Sequence, residues 1–278
     1  MSERIDSHHH LWAINDTDYV WMTEAHKVIR RDFLPSDMKA AFAEGGVAGS
    51  VTVQARQMIE ETEWLLELAA KNSEMQGVVG WVPLAENTGE PHLERFAAYQ
   101  KLKGVRHVVH DEPDDDFILG KEFNEGIARL KIYDLLYDIL IFYKHLPQTI
   151  EFVDRHPEQA FVVDHIAKPR IAKGAFDQQW ADGMRELGKR EHVSCKVSGM
   201  LTEVRDKDWD LELLQPYFDT VFEAFGPQRV MYGSDWPVLL LRDSYATWAK
   251  TAEQLTTSLS ENEKTAFWGG NAARIYGL

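Results

Sequence analysis

Near its start the chain reads RIDSHHHLW, residues 4–12. In an extended strand successive side chains point to opposite faces, so His8 and His10 share one face while His9 points the other way. Two imidazoles at one strand end form a candidate chelate, each able to hold a cation at about 2.0–2.1 Å, with further ligands required from other strands. Arg4, Ile5 and Asp6 lead into the run and Leu11 and Trp12 follow it, which reads as a short buried strand rather than a piece of a purification tag. Two further strand ends carry matching groups: His165 ends the apolar run in FVVDHIAKP, and Asp235 follows the last apolar run in RVMYGSDWPV. Four polar groups on one rim can gather a divalent ion that polarises a carbonyl or lowers the pKa of bound water to about 7. Without an ion, Asp235 can serve as general base toward water while the imidazoles stabilise an oxyanion. The plain alternative for an HxH pair is ordinary hydrogen bonding in the mouth of the fold.

Other strand ends supply groups suited to a small polar ligand. Arg106 and His107 offer a guanidinium and an imidazole for a ring oxygen or carboxylate, or else a rim ion pair with the acidic run Asp111-Glu112-Pro113-Asp114-Asp115-Asp116. That run reads first as a solvated loop. Gln54 has the donor and acceptor that a polyol wants, and Lys196 and Ser198 alternate on one strand toward the same mouth. Trp12 and Trp236 stand where an aromatic face would pack on a sugar ring, whereas Trp81 reads as core. Cys195 alternates with Lys196 and faces away from it, without a basic partner to make it a nucleophile.

The elements that must position these residues alternate along the chain. Strands are predicted at Arg4 to His10, Gly49 to Gln54, Gly77 to Pro83, Gly104 to Val109, Leu135 to Phe142, Ala160 to His165, Val193 to Ser198 and Arg229 to Ser234. Helical periodicity lies between them, as in Met58 to Lys71 and Phe176 to Lys189, and a helix beginning at Pro35-Ser36-Asp37 stops at Gly45-Gly46. Eight such units in 278 residues predict an α/β fold of the (β/α)8 TIM-barrel type, with residues 1–278 as a single domain. An open doubly wound sheet is the second choice, but no Gly-rich dinucleotide turn follows the first strand.

Composition narrows the functions. A net charge of −15 argues against nucleic acid or an anionic membrane surface as partner. No apolar run approaches the roughly 20 residues that span a bilayer, and the start resembles no signal segment, so a cytoplasmic protein is expected. A single cysteine excludes an intrachain disulfide or thiolate cluster, which leaves His and carboxylate for any metal.

Six stretches run the length of the chain in a telling order: IDSHHHLW, LKGVRHVV, VVDHIAKP, CKVSGMLTE, VMYGSDWP and the closing GGNAARIYGL. Together they resemble the amidohydrolase superfamily, and within it the branch of sugar lactonases and pyrone-dicarboxylate lactonases. The resemblance implies a hydrolase with His8, His10, His165 and Asp235 as its metal and catalytic set. Members with two metals add a bridging Lys or Glu on strand four and a His on strand five. Here those places hold Arg106-His107 and Phe142-Tyr143-Lys144, with Lys144 or His145 as weak substitutes. At most one divalent ion is therefore implied, zinc by preference, and in relatives of this branch the ion can be dispensable.

The implied reaction opens a sugar-acid lactone of the L-fucono, L-rhamnono or galactono type to its aldonate. Water attacks the ring carbonyl, and Asp235 takes its proton and returns it to the departing ring oxygen. A pyrone-dicarboxylate substrate, a metal-dependent decarboxylation and a non-catalytic sugar-binding barrel are the alternatives. The partner expected is thus a small-molecule sugar lactone, with self-association into a homo-oligomer left open.

Overall fold

The computed structural model describes residues 3–278 apart from positions 16, 20, 21, 87 and 88. Eight parallel strands lie in chain order in one sheet: β1 Ile5–His9, β2 Gly49–Val53, β3 Met75–Gly80, β4 Leu102–Val108, β5 Leu136–Leu140, β6 Phe161–Val163, β7 Val193–Val197 and β8 Val230–Tyr232. Between and after them come α1 Pro35–Gly45, α2 Ile59–Lys71, α3 Gly89–Ala97, α4 Lys121–Leu130, α5 Leu146–Arg155, α6 Gln178–Leu187, α7 Leu211–Phe225, α8 Tyr245–Leu255, α9 Glu261–Thr265 and α10 Asn271–Tyr276. With helices outside and packed side chains inside, the strands are covered on both faces, which is why they read as apolar runs instead of alternating ones.

The ends of the sheet meet. The amides of Ser234 and Asp235 donate to the His8 carbonyl at 3.2 and 2.8 Å, and the His10 amide donates to the Trp236 carbonyl at 2.7 Å. Asp6 adds a side-chain stitch: it accepts from the amides of His8 and Ser234 at 3.1 and 2.9 Å, and from the Tyr245 hydroxyl at 2.9 Å. The result is a (β/α)8 barrel. At its N-terminal end, Ala272 and Tyr276 of α10 pack against the interior residues Ile5, Val51, Val79 and Met231. A Cβ at Gly269 would lie 2.1 Å from the Glu3 carbonyl oxygen, so only glycine lets this closing segment approach β1.

Each predicted strand coincides with an observed one, but two ends differ in a way that matters. β6 stops at Val163 and β8 at Tyr232, short of the predicted His165 and Ser234. The chain leaves the sheet there through left-handed backbone, with φ of 52°, 48°, 58° and 49° at His165, Ile166, Ala167 and Lys168, and 60° at Asp235. No helix of the described residues is long and apolar enough to cross a membrane.

His9 turns outward between strand and helix layers. Its Nε2 lies 3.0 Å from Ser50 Oγ and 2.9 Å from Thr52 Oγ1, and its ring meets the edge of Phe42. Burial pushes the imidazole down to about 3. Below pH 6.5 the unfolded chain therefore binds a proton at His9 that the folded chain refuses. The stability this residue permits is full above 6.5 and falls as pH drops toward 3, by about 1.4 kcal/mol per pH unit. A His9→Gln variant is expected to flatten the slope of unfolding free energy between pH 6 and 4 by that amount, as read by urea titration. An unchanged slope would show that His9 titrates normally in the fold.

Candidate active site

At the C-terminal ends of the strands, where barrel active sites are built, lies a cavity of about 310 Å³. Its polar wall carries His10, His165, Asp235, Arg106, His110 and Lys168, with Asp111 at the side. Ala55, Val108, Leu140 and Val238, together with Trp12, form an apolar wall. A larger groove of about 450 Å³ beside Phe176 and Tyr217 gathers no comparable set.

The floor of the cavity is a convergence of lone pairs. His10 Nδ1 donates to the Val53 carbonyl at 2.8 Å, and a carbonyl can only accept, so the neutral ring presents a bare Nε2. That nitrogen lies 3.3 Å from His8 Nε2 and 3.3 Å from Asp235 Oδ1. Asp235 Oδ1 is also 3.9 Å from His8 Nε2 and 3.7 Å from His165 Nε2. Acceptors aimed at one another are unfavourable without a cation or protons between them. Ligands bound at about 2.0–2.1 Å in a tetrahedron stand roughly 3.3–3.4 Å apart, which matches both 3.3 Å separations at His10, so His8, His10 and Asp235 suit one ion. His8 Nε2 also accepts from Arg106 Nη1 at 3.3 Å, so the guanidinium competes with an ion for this lone pair.

Outer contacts fix each ring. His165 Nδ1 meets Ser198 Oγ at 2.9 Å. A Cβ at Gly199, whose φ is +64°, would lie 2.8 Å from that nitrogen, so the glycine of CKVSGMLTE seats this imidazole. His8 Nδ1 faces Asp164 Oδ1 at 3.2 Å, the carboxylate–imidazole pairing that orients metal-binding histidines. Burial pushes the imidazoliums of His8 and His165 well below the usual range; Asp164 opposes this at His8, and Asp235 does so at His165. Burial works against charge on Asp235 too, but His165, His10 and Lys168 outweigh it and keep the carboxyl below its usual range. Asp235 thus presents a carboxylate to the imidazoles of His10 and His165.

Beneath the floor lies a buried ionic cluster. Lys196 pairs with Asp138 and, at 3.0 Å, with Asp164 Oδ1, and its ammonium stands 3.2 Å from His8 Nδ1. Arg106 donates to Asp164 Oδ2 at 3.0 Å and to the Gln54 carbonyl at 2.5 Å. From α10, the Tyr276 hydroxyl reaches both oxygens of Asp138, at 2.9 and 3.0 Å. Burial pushes Asp138 up to about 6 against the pull of Lys196, whereas at Asp164 burial is outweighed by Lys196, His8 and Arg106, which hold it well below the carboxylate range.

The left-handed run at His165–Lys168 is costly, at about 1–2 kcal/mol per non-glycine residue, and includes a β-branched Ile166. Such strain concentrates at functional sites. It lets residues three apart, His165 and Lys168, line the same cavity while Ile166 and Ala167 enter the core.

The sequence-predicted residues divide accordingly. His8, His10, His165 and Asp235 converge, and Arg106 and Trp12 line the cavity. Gln54 does not: its side-chain amide donates to the Arg106 carbonyl at 3.3 Å, holding the arginine. His107 alternates away from Arg106 into the helix layer, stacks on Phe117 and pairs with Glu112 at 2.6 Å. Lys196 lies under the floor rather than in the mouth. Trp236 packs its ring on Phe33 and serves barrel closure through its backbone. The acidic run is no free loop, since Asp115 meets Lys144 and His145 and Asp116 accepts from Gln148. Arg106 ignores that run in favour of Asp164. Cys195 is buried, and burial pushes its thiol up, away from nucleophilic use. Sequence reasoning missed Asp138, Asp164, His110 and Lys168. His110 lines the cavity with Nδ1 buried and without a hydrogen-bond partner among the described residues.

Comparison with known proteins adds independent findings. A family model described as amidohydrolase matches residues 5–278. An L-fucono-1,5-lactonase of Burkholderia multivorans is 40% identical over 291 residues, spanning 99% of this chain and 96% of its own. An L-fucono-1,5-lactonase of Burkholderia ambifaria is 35% identical over 280 residues, with 99% and 96% covered. The crystal structure of an amidohydrolase from Burkholderia multivorans with bound zinc superposes with a TM-score of 0.94 at 38% identity, covering 100% of both chains.

Proposed function

The chain belongs to the amidohydrolase family, and from that premise we propose that it hydrolyses the ring ester of a 6-deoxy sugar lactone of the L-fucono type. The observation that carries this reading is the Asp235 carboxylate, 3.3 Å from His10 Nε2 and 3.7 Å from His165 Nε2, on the floor of a cavity with one apolar wall. Two relatives named L-fucono-1,5-lactonase support the substrate class.

In this reading water is held against Asp235, which takes its proton as oxygen bonds to the ring carbonyl. Arg106 faces the negative charge that develops on the carbonyl oxygen, in a site prearranged by Gln54, Ser198 and Asp164. Trp12, Val108, Leu140 and Val238 offer apolar contact suited to a methyl group in place of a hydroxymethyl. His8, His10 and Asp235, whose ligand atoms lie within 4.8 Å of one another, would hold a single divalent ion with His165 beside them, zinc being the one bound in the similar structure. When bound, it would supply Lewis-acid polarisation of the carbonyl or water. A pyrone dicarboxylate is less well served, because of the two cavity cations besides the histidines, Arg106 is already committed to Asp164 and Gln54.

A panel of lactones monitored with a pH indicator tests this. It is run on metal-replete and chelated protein so that loss of an ion is not mistaken for absence of activity. Acid release is expected from L-fucono-lactone, with kcat/KM about 10- to 100-fold above that for the 6-hydroxy galactono analogue. No acid release from any sugar lactone, or carbon dioxide release from an aromatic acid instead, would overturn the assignment.

A further inference from the structure

The departing ring oxygen of a lactone is a poor leaving group, and its expulsion calls for a proton. Resting on the lactone reading above, the geometry points to Lys168 as a catalytic residue that donates this proton, in place of its return by Asp235. Three observations converge on it. Lys168 lines the same cavity as His10, His165 and Asp235. Its ammonium is lightly held, 3.5 Å from Glu203 Oε1 on the loop after β7 and 5.7 Å from the Phe142 ring centre, so hydrogens remain free for a ligand. The strained left-handed turn that places it there serves no strand or helix of its own, and glycine would have made the turn without strain.

The other candidates in the cavity are unsuited to the task. Arg106 is fixed to Asp164 and Gln54, and a guanidinium does not release its proton. Burial, reinforced by neighbouring Lys168, pushes His110 down to about 3, so it carries no proton to spare at neutral pH. Asp235 faces the imidazole side, where water is activated.

The step balances. Water's oxygen bonds to the carbonyl carbon and its proton goes to Asp235. The ring C–O bond then breaks, and the ring oxygen takes a proton from the Lys168 ammonium. The new carboxylic acid gives its proton to the Lys168 amine, and Asp235 loses its own to solvent. Lactone and water become aldonate and one released proton, with both side chains restored.

The test uses Lys168→Gly, because at φ 49° glycine is at ease and the variant should fold with an unchanged or higher Tm. With L-fucono-lactone, kcat is expected to fall about 100-fold or more with KM within threefold. Added ethylamine should restore at least tenfold of that loss saturably, since it can occupy the vacated side-chain space. Lys168→Arg should stay as impaired as the glycine variant, because it keeps the charge without a transferable proton. Recovery in Lys168→Arg would show that charge alone suffices and would overturn the inference. So would a loss below threefold, or a loss that ethylamine leaves untouched. A parent protein that opens no lactone removes the lactone reading and this inference together. An active parent with an unimpaired glycine variant removes this inference alone.

Discussion

Asp235→Asn is expected to lower kcat for lactone opening by about 10³-fold while leaving the barrel folded. The range for losing a general base is about 10²- to 10⁴-fold, and the upper half is warranted because, among the described residues, Asp235 is the carboxylate set against His10 and His165, while Asp111 stands at the side of the cavity. Asp164 and Asp138 lie beneath it, engaged by Lys196, Arg106 and Tyr276. Asn keeps the size of the side chain but cannot accept water's proton. The backbone bond from residue 235 to the His8 carbonyl, 2.8 Å, is independent of the side chain and keeps the barrel closed. Folding is therefore expected to survive, as is affinity for the aldonate product measured by calorimetry. A variant retaining a tenth of parental turnover would show that the proton goes elsewhere. Undetectable product binding together with a collapsed Tm would show instead that Asp235 is structural.

How much of this was legible in the residues follows from the physics of a closed parallel barrel. Strands covered on both faces must be apolar throughout, so runs such as SVTV, VVG and FVV announce themselves, and polar residues at their C-terminal ends stand out. That made the shared placement of His8, His10, His165 and Asp235 readable. The turn after β6 was not readable, because HIAK contains no glycine and nothing in its residue types signals left-handed backbone. Lys168 was hidden with it.

The ionic cluster was half visible. A lone Asp138 inside LYDIL and a lone Lys196 inside VSCKV each demand a partner once buried. What a single strand does not reveal is that β5 and β7, separated by β6, direct these side chains into the same interior layer, as alternate strands of such barrels do. Gln54 and His107 read from sequence as ligand contacts because strand ends are polar for two reasons. One is contact with substrate, and the other is support of the residue that makes it.

The same cluster predicts the largest loss of stability. In Lys196→Met, Asp138 and Asp164 would lose their shared cation while remaining buried, and removing one partner of a buried pair costs about 3–5 kcal/mol. Against a total of about 5–15 kcal/mol for an ordinary fold, that is a severe deficit. Adding Asp138→Asn removes one stranded charge, and a double-mutant cycle should show coupling of about 1–3 kcal/mol, with the double variant more stable than Lys196→Met alone.

Proton uptake supplies a second relief, and its sign is fixed. Asp138 already stands at about 6, above its unfolded value of 3.8, because burial outweighs the pull of Lys196. Without the lysine it rises further, so the folded variant binds a proton that the unfolded chain does not, and stability increases as pH falls through the folded value. The deficit of Lys196→Met relative to the parent should therefore be larger at pH 8 than at pH 5.5, by about 1–2 kcal/mol. Equal deficits at both pH values would mean that Asp138 stays ionised without its lysine, which requires water or another cation to reach a place where the fold shows only packed side chains.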